Sequence, residues 1–390
     1  MDYFERSLTI HEQLRGKIGM HSKVPLENTD DLSIAYTPGV ARPCEIIASD
    51  PEQVRRLTIK HNSVAVVSDG SAVLGLGNIG PLAAIPVMEG KALLFKAYAD
   101  IDAWPICLDT QDTEAIIQTV RNIAPVFGGI NLEDISAPRC FEIENRLQDL
   151  GIPVFHDDQH GTAVVVLAAI LNASKVTGKP LSEMTVVISG AGAAGSAITH
   201  LLVHEAFEKM FGETVRDIII CDSKGAIHTG REGLNDSKQG LLKITNKDDR
   251  TGSIHEVLEG TDVFIGVSKG GLLSERDIKA MGPDPIILAM ANPIPEIMPE
   301  EARRAGAAVI GTGRSDFPNQ VNNVLAFPGI FRGALDAQAS RITTAMKLAA
   351  AGALARCVAE PTAEEIIPSP MDKSVAPLIA KAVVEAAEAQ

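Results

Sequence analysis

Residues 184–198 read MTVVISGAGAAGSAI. An apolar, β-branched run passes without a break into G-x-G-x-x-G and then into a helical stretch free of proline. Glycines at these points permit a tight turn and close approach of a pyrophosphate, which the helix N-terminus attracts. The next apolar run, DIIICD, closes on Asp222, 27 residues after Gly195. That exceeds the usual spacing of about 20, and the insert HEAFEKMFGETVRD accounts for the excess. An acid at that strand end can accept hydrogen bonds from ribose hydroxyls. Gly190, Gly192, Ala193, Ala194, Gly195 and Asp222 are therefore the expected dinucleotide-binding residues.

A second copy of the pattern, GLGNIG at 75–80, has a different setting. The turn SDGS precedes it, and Pro81 and Pro86 follow. Pro86 one turn into a helix would cost about 3 kcal/mol. A short bent segment is expected there, shaping a turn that places Lys91.

Downstream of the decisive stretch, DIIICD, DVFIGVS, PIILAMANP and AAVIGTG alternate with helical runs. Continuous apolar strands in such a series imply a parallel sheet covered on both faces. Upstream, SVAVVS, SAVLG, KALLFKAY, WPICLD and GGINLED read as strands among helices. Residues 1–22 read as one or two amphipathic helices, and TAVVVLAAILNASKVTG as a long apolar helix ended by Gly178. The expected fold is α/β. A doubly wound Rossmann-type cofactor domain (161–321) joins an α/β substrate and metal domain (1–160), completed by C-terminal helices (322–390) that pack back on it.

The chain has 390 residues, and a net charge of −15 disfavours nucleic acid and anionic membrane. No run of about 18 uninterrupted apolar residues is present. Five widely spaced cysteines without C-x-x-C fit reduced thiols in a cytoplasm, and the charged N-terminus does not read as a signal peptide.

Two acidic clusters end strand-like runs, where α/β proteins place ligand sites. NLED supplies Glu133 and Asp134; FHDDQHGT supplies Asp157 and Asp158. Three converging carboxylates suit a hard dication, Mg²⁺ or Mn²⁺. Taken alone, ED reads as solvated surface, and DD before a helix reads as a cap. His156 and His160 have zinc-like spacing but no third soft ligand, so structural hydrogen bonding is expected of them.

Seven ordered stretches complete a resemblance: AYTPGVA (35–41), GLGNIGPLAAIPVMEGKALLFK (75–96), INLEDI (130–135), VFHDDQHGTA (154–163), VVISGAGAAG (186–195), ILAMANPIPE (287–296) and QVNNVLAFPGIFRGALD (320–336). The chain resembles the short bacterial malic enzymes over nearly its whole length. The resemblance implies metal-dependent oxidative decarboxylation of L-malate to pyruvate and CO₂ with NAD or NADP. It also implies a homodimer. By the same resemblance Glu133, Asp134 and Asp158 look like the metal ligands, Lys91 the base, and Tyr36 the acid. Asp157 looks like the acid that steers the lysine's protonation, and Asn292 and Asn323 like substrate or nicotinamide contacts.

The chemistry asks for such groups. A lysine can take the C2 hydroxyl proton only when neutral, so its pKa is expected to fall well below about 10.4. Tyr36, one of three tyrosines, stands in a proline–glycine loop from which a proton can be delivered to C3. Ala72 stands where larger family members carry a carboxylate-gripping arginine, which leaves that anchor unassigned, with Arg42 the nearest candidate. Asp222 favours NAD, while Ser223 and Lys224 can welcome a 2′-phosphate. The alternatives are a malolactic or simple malate oxidoreductase, an amino-acid dehydrogenase, and a non-catalytic nucleotide sensor.

Overall fold

The computed structural model describes residues 3–73 and 75–389; Leu74, in the SAVLG run, and Met1 and Asp2, in the N-terminal helical run, lie outside the described residues, as does Gln390. Among the described residues two parallel sheets form. The first has the order β2-β1-β3-β4, from β1 (Ser63–Ser68), β2 (Asp102–Cys107), β3 (Gly129–Leu132) and β4 (Val154–His156). Each of its pairings is parallel. Every residue of β1 is buried, as a run apolar on both faces requires.

The second sheet has the order β10-β9-β8-β5-β6-β7. It is built from β5 (Thr185–Ser189), β6 (Asp217–Asp222), β7 (Gly225–Ala226), β8 (Val263–Gly266), β9 (Ile286–Ala289) and β10 (Val309–Thr312). All neighbours are parallel except β7, which turns back against β6. The strand order reverses direction at β5, so the GAGAAG turn leaves the sheet at its switch point.

The helix Asp157–Thr177 joins the sheets and ends on Gly178 at φ 69°. It starts at Asp157, five residues before the expected apolar run, and crosses the boundary placed at 160. Among the described residues it is the helix long and apolar enough to cross a membrane, but thirteen of its residues are buried in the core. Asn172, within it, donates to the carbonyls of Ala355 and Ile366 at 2.8 and 2.9 Å, fastening the C-terminal segment. Phe95 stacks edge-on against Phe327 and Phe331, with centroids 4.7 and 5.3 Å apart, and Phe331 also meets Phe155 of β4. The C-terminal helix Phe327–Asp336 is thereby built into the first sheet's core.

Three local expectations fail. The segment after GLGNIG is not short and bent: Gly80–Ala99 is one helix that continues through Pro86. Pro86 has no N–H for the Leu82 carbonyl, but Leu82 is exposed, so water can serve that carbonyl. Lys17 Nζ donates to the Pro86 carbonyl at 2.7 Å. KALLFKAY belongs to this helix rather than to a strand, because Met88, Lys91, Ala92 and Phe95 recur at helical spacing as its buried face. No strand is assigned to the described residues of the SAVLG run, where Val73 makes only an isolated bridge to Gly77.

The N-terminal helices Tyr3–Leu14, Thr29–Ala35 and Ala41–Ser49 bury no residue and expose Leu8, Leu14, Leu32 and Ile34, and Tyr36, which caps the second of them, is exposed too.

Candidate active site

The acidic groups meet at the carboxyl ends of β3 and β4. Glu133 follows β3, and its N–H continues the ladder to Val67 at 2.9 Å. Asp134 turns out of the strand at φ 54°, and its own N–H donates to Asp158 Oδ2 at 2.8 Å. Glu133, Asp134 and Asp158 offer oxygens within 4.8 Å of one another. Asp134 Oδ2 is buried with no hydrogen-bond partner.

Burial raises all four carboxyls of the cluster, and their mutual repulsion adds to it. Asp134 is pushed up to about 9, Asp157 to about 7 and Asp158 to about 6, and Glu133 is raised as well. Crowded, desolvated carboxylates with an orphan oxygen form a donor set that a hard dication satisfies. Such a site has a pH signature. The unfolded chain releases these protons near pH 4, whereas the folded chain holds them to between about 6 and 9. The folded state thus binds more protons across that range, and stability falls as pH rises through it. Chelator-treated protein should therefore lose Tm progressively from about pH 4 to about 9, and Mn²⁺ should flatten the profile. A flat profile in chelator would contradict the crowding.

Lys91, on the Gly80–Ala99 helix, is 7% exposed. Its Nζ lies 2.9 Å from Glu133 Oε1 and 2.7 Å from Asp157 Oδ2, over the Phe327 ring at 4.3 Å. Burial pulls its pKa down, but Asp157, Glu133 and Asp158 outweigh burial and raise it. The expected depression is thus not a property of this lysine among its carboxylates. A cation held by Glu133 and Asp158 would offset the two charges that contribute to raising it. Asn131 donates to Glu133 Oε2 at 2.8 Å, and Asn323 donates to Asp157.

Gly161, which the sequence reading passed over, explains how Asp157 fits. A Cβ at Gly161 would lie 1.8 Å from Asp157 Oδ1. One turn along the helix, only glycine lets the carboxylate fold back beside its own backbone. Gly161→Ala should displace Asp157 from Lys91 and lower kcat about 100-fold, the order expected for a 1 Å misplacement at a reacting centre. Steady-state rates measured alongside Tm test this, and near-normal kcat would refute it.

The GAGAAG run forms the expected strand–turn–helix. Gly190 has φ +123°, Ala193, Ala194 and Gly195 open the helix Ala193–Leu202, and a Cβ at Gly195 would meet Gly190 O at 1.8 Å. A cavity of about 810 Å³ runs from Gly190 and Gly192 to Asp222, Ser223 and Lys224. Asp222 has little accepting capacity left. Both its oxygens accept from Arg231 at 2.8 Å, Lys238 donates to Oδ2 at 2.6 Å, and the Lys224 N–H donates to Oδ1 at 2.9 Å. Burial raises its pKa, but these donors outweigh burial and hold it at about 2. Arg231 and Lys238 lay outside the motif reading because they come from the following loop and helix.

Asn292 is exposed on the loop after β9. A Cβ at Gly75 would meet its carbonyl at 2.8 Å, so the first glycine run docks against the AMANP loop. Tyr36 is 67% exposed, and its hydroxyl makes no hydrogen bond to the cluster or elsewhere among the described residues. Arg42 pairs with Glu45 at 3.1 Å on the surface.

Family models agree with this arrangement. Residues 159–388 match the malic enzyme NAD binding domain, and residues 15–116 and 109–148 match the malic enzyme N-terminal domain. The chain belongs to the malic enzyme family. It is 57% identical to the bifunctional malic/malolactic enzyme of Bacillus subtilis over 99% of this chain and 93% of that one. It is 57% identical to the NAD-dependent malic enzyme of Geobacillus stearothermophilus, covering 98% of this chain and 78% of that one. The crystal structure of the NAD-dependent malic enzyme of Thermotoga maritima superposes with a TM-score of 0.91 at 50% identity, covering 97% and 98% of the two chains. The α/β architecture with its Rossmann-type sheet is that of malic enzymes.

Proposed function

We propose that this malic enzyme oxidises and decarboxylates L-malate to pyruvate and CO₂, with NAD as acceptor and NADP as the alternative. The observation that carries the reading is the Lys91–Asp157 pair beside three converging carboxylates. Glu133, Asp134 and Asp158 are the residues to hold Mn²⁺ or Mg²⁺, which when bound supplies Lewis-acid polarisation of the substrate's C2 oxygen. The nicotinamide supplies the hydride acceptor. The chain's own part is proton handling. Lys91 Nζ takes the C2 hydroxyl proton after passing its own to Asp157, whose pKa near 7 lets it hold a proton at neutral pH. Asn323 orients Asp157, and Asn292 is assigned to the substrate and nicotinamide.

Tyr36 is assigned to return a proton to C3. In one chain it is exposed, so this role requires the N-terminal segment to close over the site. We place the homodimer contact on that segment, since its three helices bury nothing and expose apolar side chains. The five free cysteines support a cytoplasmic location.

The saturated carboxylate of Asp222 bears on the choice of acceptor. Lys238, which donates to Asp222, is the residue we assign to a 2′-phosphate, a charge-assisted contact of about 1.5–3 kcal/mol. Lys238→Ala should therefore raise KM for NADP about tenfold while that for NAD moves less than about threefold. Equal effects on both would remove the assignment.

A second reading is favoured by one observation, the malolactic activity named for the Bacillus subtilis relative. The deciding experiment measures pyruvate, lactate and oxaloacetate separately, with NAD or NADP and with Mn²⁺, Mg²⁺ or chelator. Pyruvate with stoichiometric reduced dinucleotide, lost in chelator, is expected. Lactate without net reduction would give the second reading, and oxaloacetate a simple dehydrogenase.

A further inference from the structure

A second cavity, of about 520 Å³, lies behind the dinucleotide helix. Its walls are the Arg139–Leu147 helix, the start of Asp157–Thr177, the Ser196 and His200 face of Ala193–Leu202, and the first turn of Thr344–Arg356. It meets the dinucleotide cavity only at Phe141 and Ser237.

Three polar groups on its lining have nothing to bond. The Lys347 ammonium has no hydrogen bond or ion pair among the described residues and lies 5.9 Å from the Phe155 ring centre. Ser196, 3% exposed, has a buried hydroxyl without a partner. His160 Nδ1 is likewise buried and unpartnered. Glu144 does not serve Lys347 directly. Its oxygens accept from the His156 N–H, Gln159 Nε2 and His160 Nε2, each at 3.0 Å. Glu144 accepts from a backbone N–H and an amide, so the His160 Nε2 that faces it is the ring nitrogen bearing the proton, and Nδ1 is left without a partner. Buried groups left so are costly and call for partners.

We propose that this cavity is a second small-molecule site for a hydroxylated oxyanion, with the anionic end held by Lys347 and Ser196 and the hydroxyl donated to His160 Nδ1. A hydroxycarboxylate and a hydroxylated phosphate ester share that chemistry. The occupant would touch both the helix that opens at the dinucleotide turn and the helix that opens with Asp157 and Asp158. Its binding therefore couples to dinucleotide affinity, typically by about 5- to 150-fold.

The test titrates the full-length protein with D-glycerate in one arm and sn-glycerol 3-phosphate in the other, by calorimetry. One arm should bind at one molecule per chain with Kd below about 1 mM. Lys347→Gln should weaken that binding roughly tenfold or more, and Lys347→Arg should restore most of it. Asp158→Asn should leave it intact, and KM for NAD should shift with the probe in wild type but not in Lys347→Gln. Ser196→Ala gives a second reading of the same site should Lys347→Gln fail to fold. No binding in either arm up to about 10 mM would overturn the proposal, leaving a cavity for water only. So would binding indifferent to Lys347 and Ser196, or binding lost in Asp158→Asn, which would place the probe at the malate site.

Discussion

Asp158→Asn should abolish malate turnover while dinucleotide binding survives. Asp158 is the one member of the proposed metal set that comes from the second acidic cluster, and the backbone of Asp134 fixes it in place. An amide keeps the size and one acceptor oxygen but gives up the charge. The set then falls from three carboxylates to two, and the Asp134 N–H keeps an acceptor, so the fold has no reason to change. A bound dication contributes several kcal/mol to stabilising charge in the transition state, so kcat should fall about 10³-fold or more. The dinucleotide cavity is lined by Gly190, Gly192 and Asp222, none of which touches Asp158. NADH binding, followed by fluorescence, should hold within about threefold. Removing a crowded, part-exposed charge should also raise the metal-free protein's Tm at pH 8. Near-normal rates with metal content verified would dissolve the proposed centre.

How much of this the sequence discloses depends on how local each determinant is. The turn at 190–195 is legible because strand, glycines and helix are contiguous, and their spacing carries the physics. The convergence of NLED with FHDDQHGT is legible for a related reason: both follow strands of one parallel sheet, and such strands end on the same side. Pro86 misleads because a helix penalty measured in the interior was charged to a position whose freed carbonyl belongs to an exposed residue, Leu82. KALLFKAY misleads because eight apolar-rich residues fit either period, and the buried Ala84 and Met88 that continue its helical spacing lie outside the window. Asp222 shows a different limit. A strand-end acid suggests a free acceptor, but Arg231 and Lys238 arrive from an exposed loop and the next helix to occupy it. Gly161 did carry a signal: a glycine one turn into an apolar helix, four residues after a buried acid, asks what must approach that closely.

Lys91 tests the proton path rather than the metal. Lys91→Ala removes the proposed base and leaves Glu133 and Asp157 buried without their cation. Hydride transfer from malate should fall about 10²- to 10⁴-fold, the usual span for a positioned acid–base group. That result alone does not separate a base from a charge that holds the carboxylates in place, and Lys91→Arg does. A guanidinium keeps the positive charge and can reach both carboxylates, but it does not lose a proton at any working pH. If Lys91 is the base, the arginine variant should bind dinucleotide and metal normally and turn over as poorly as the alanine variant. If Lys91 only neutralises Glu133 and Asp157, arginine should recover most of the rate. Asp157→Asn completes the argument. It preserves an acceptor for the Lys91 ammonium through its amide oxygen but removes the place where that proton goes. In wild type, kcat/KM should show an ionisation near the Asp157 value of about 7. In Asp157→Asn that ionisation should vanish and the rate should drop, while a pH profile unchanged in both respects would show that the lysine acts without the aspartate.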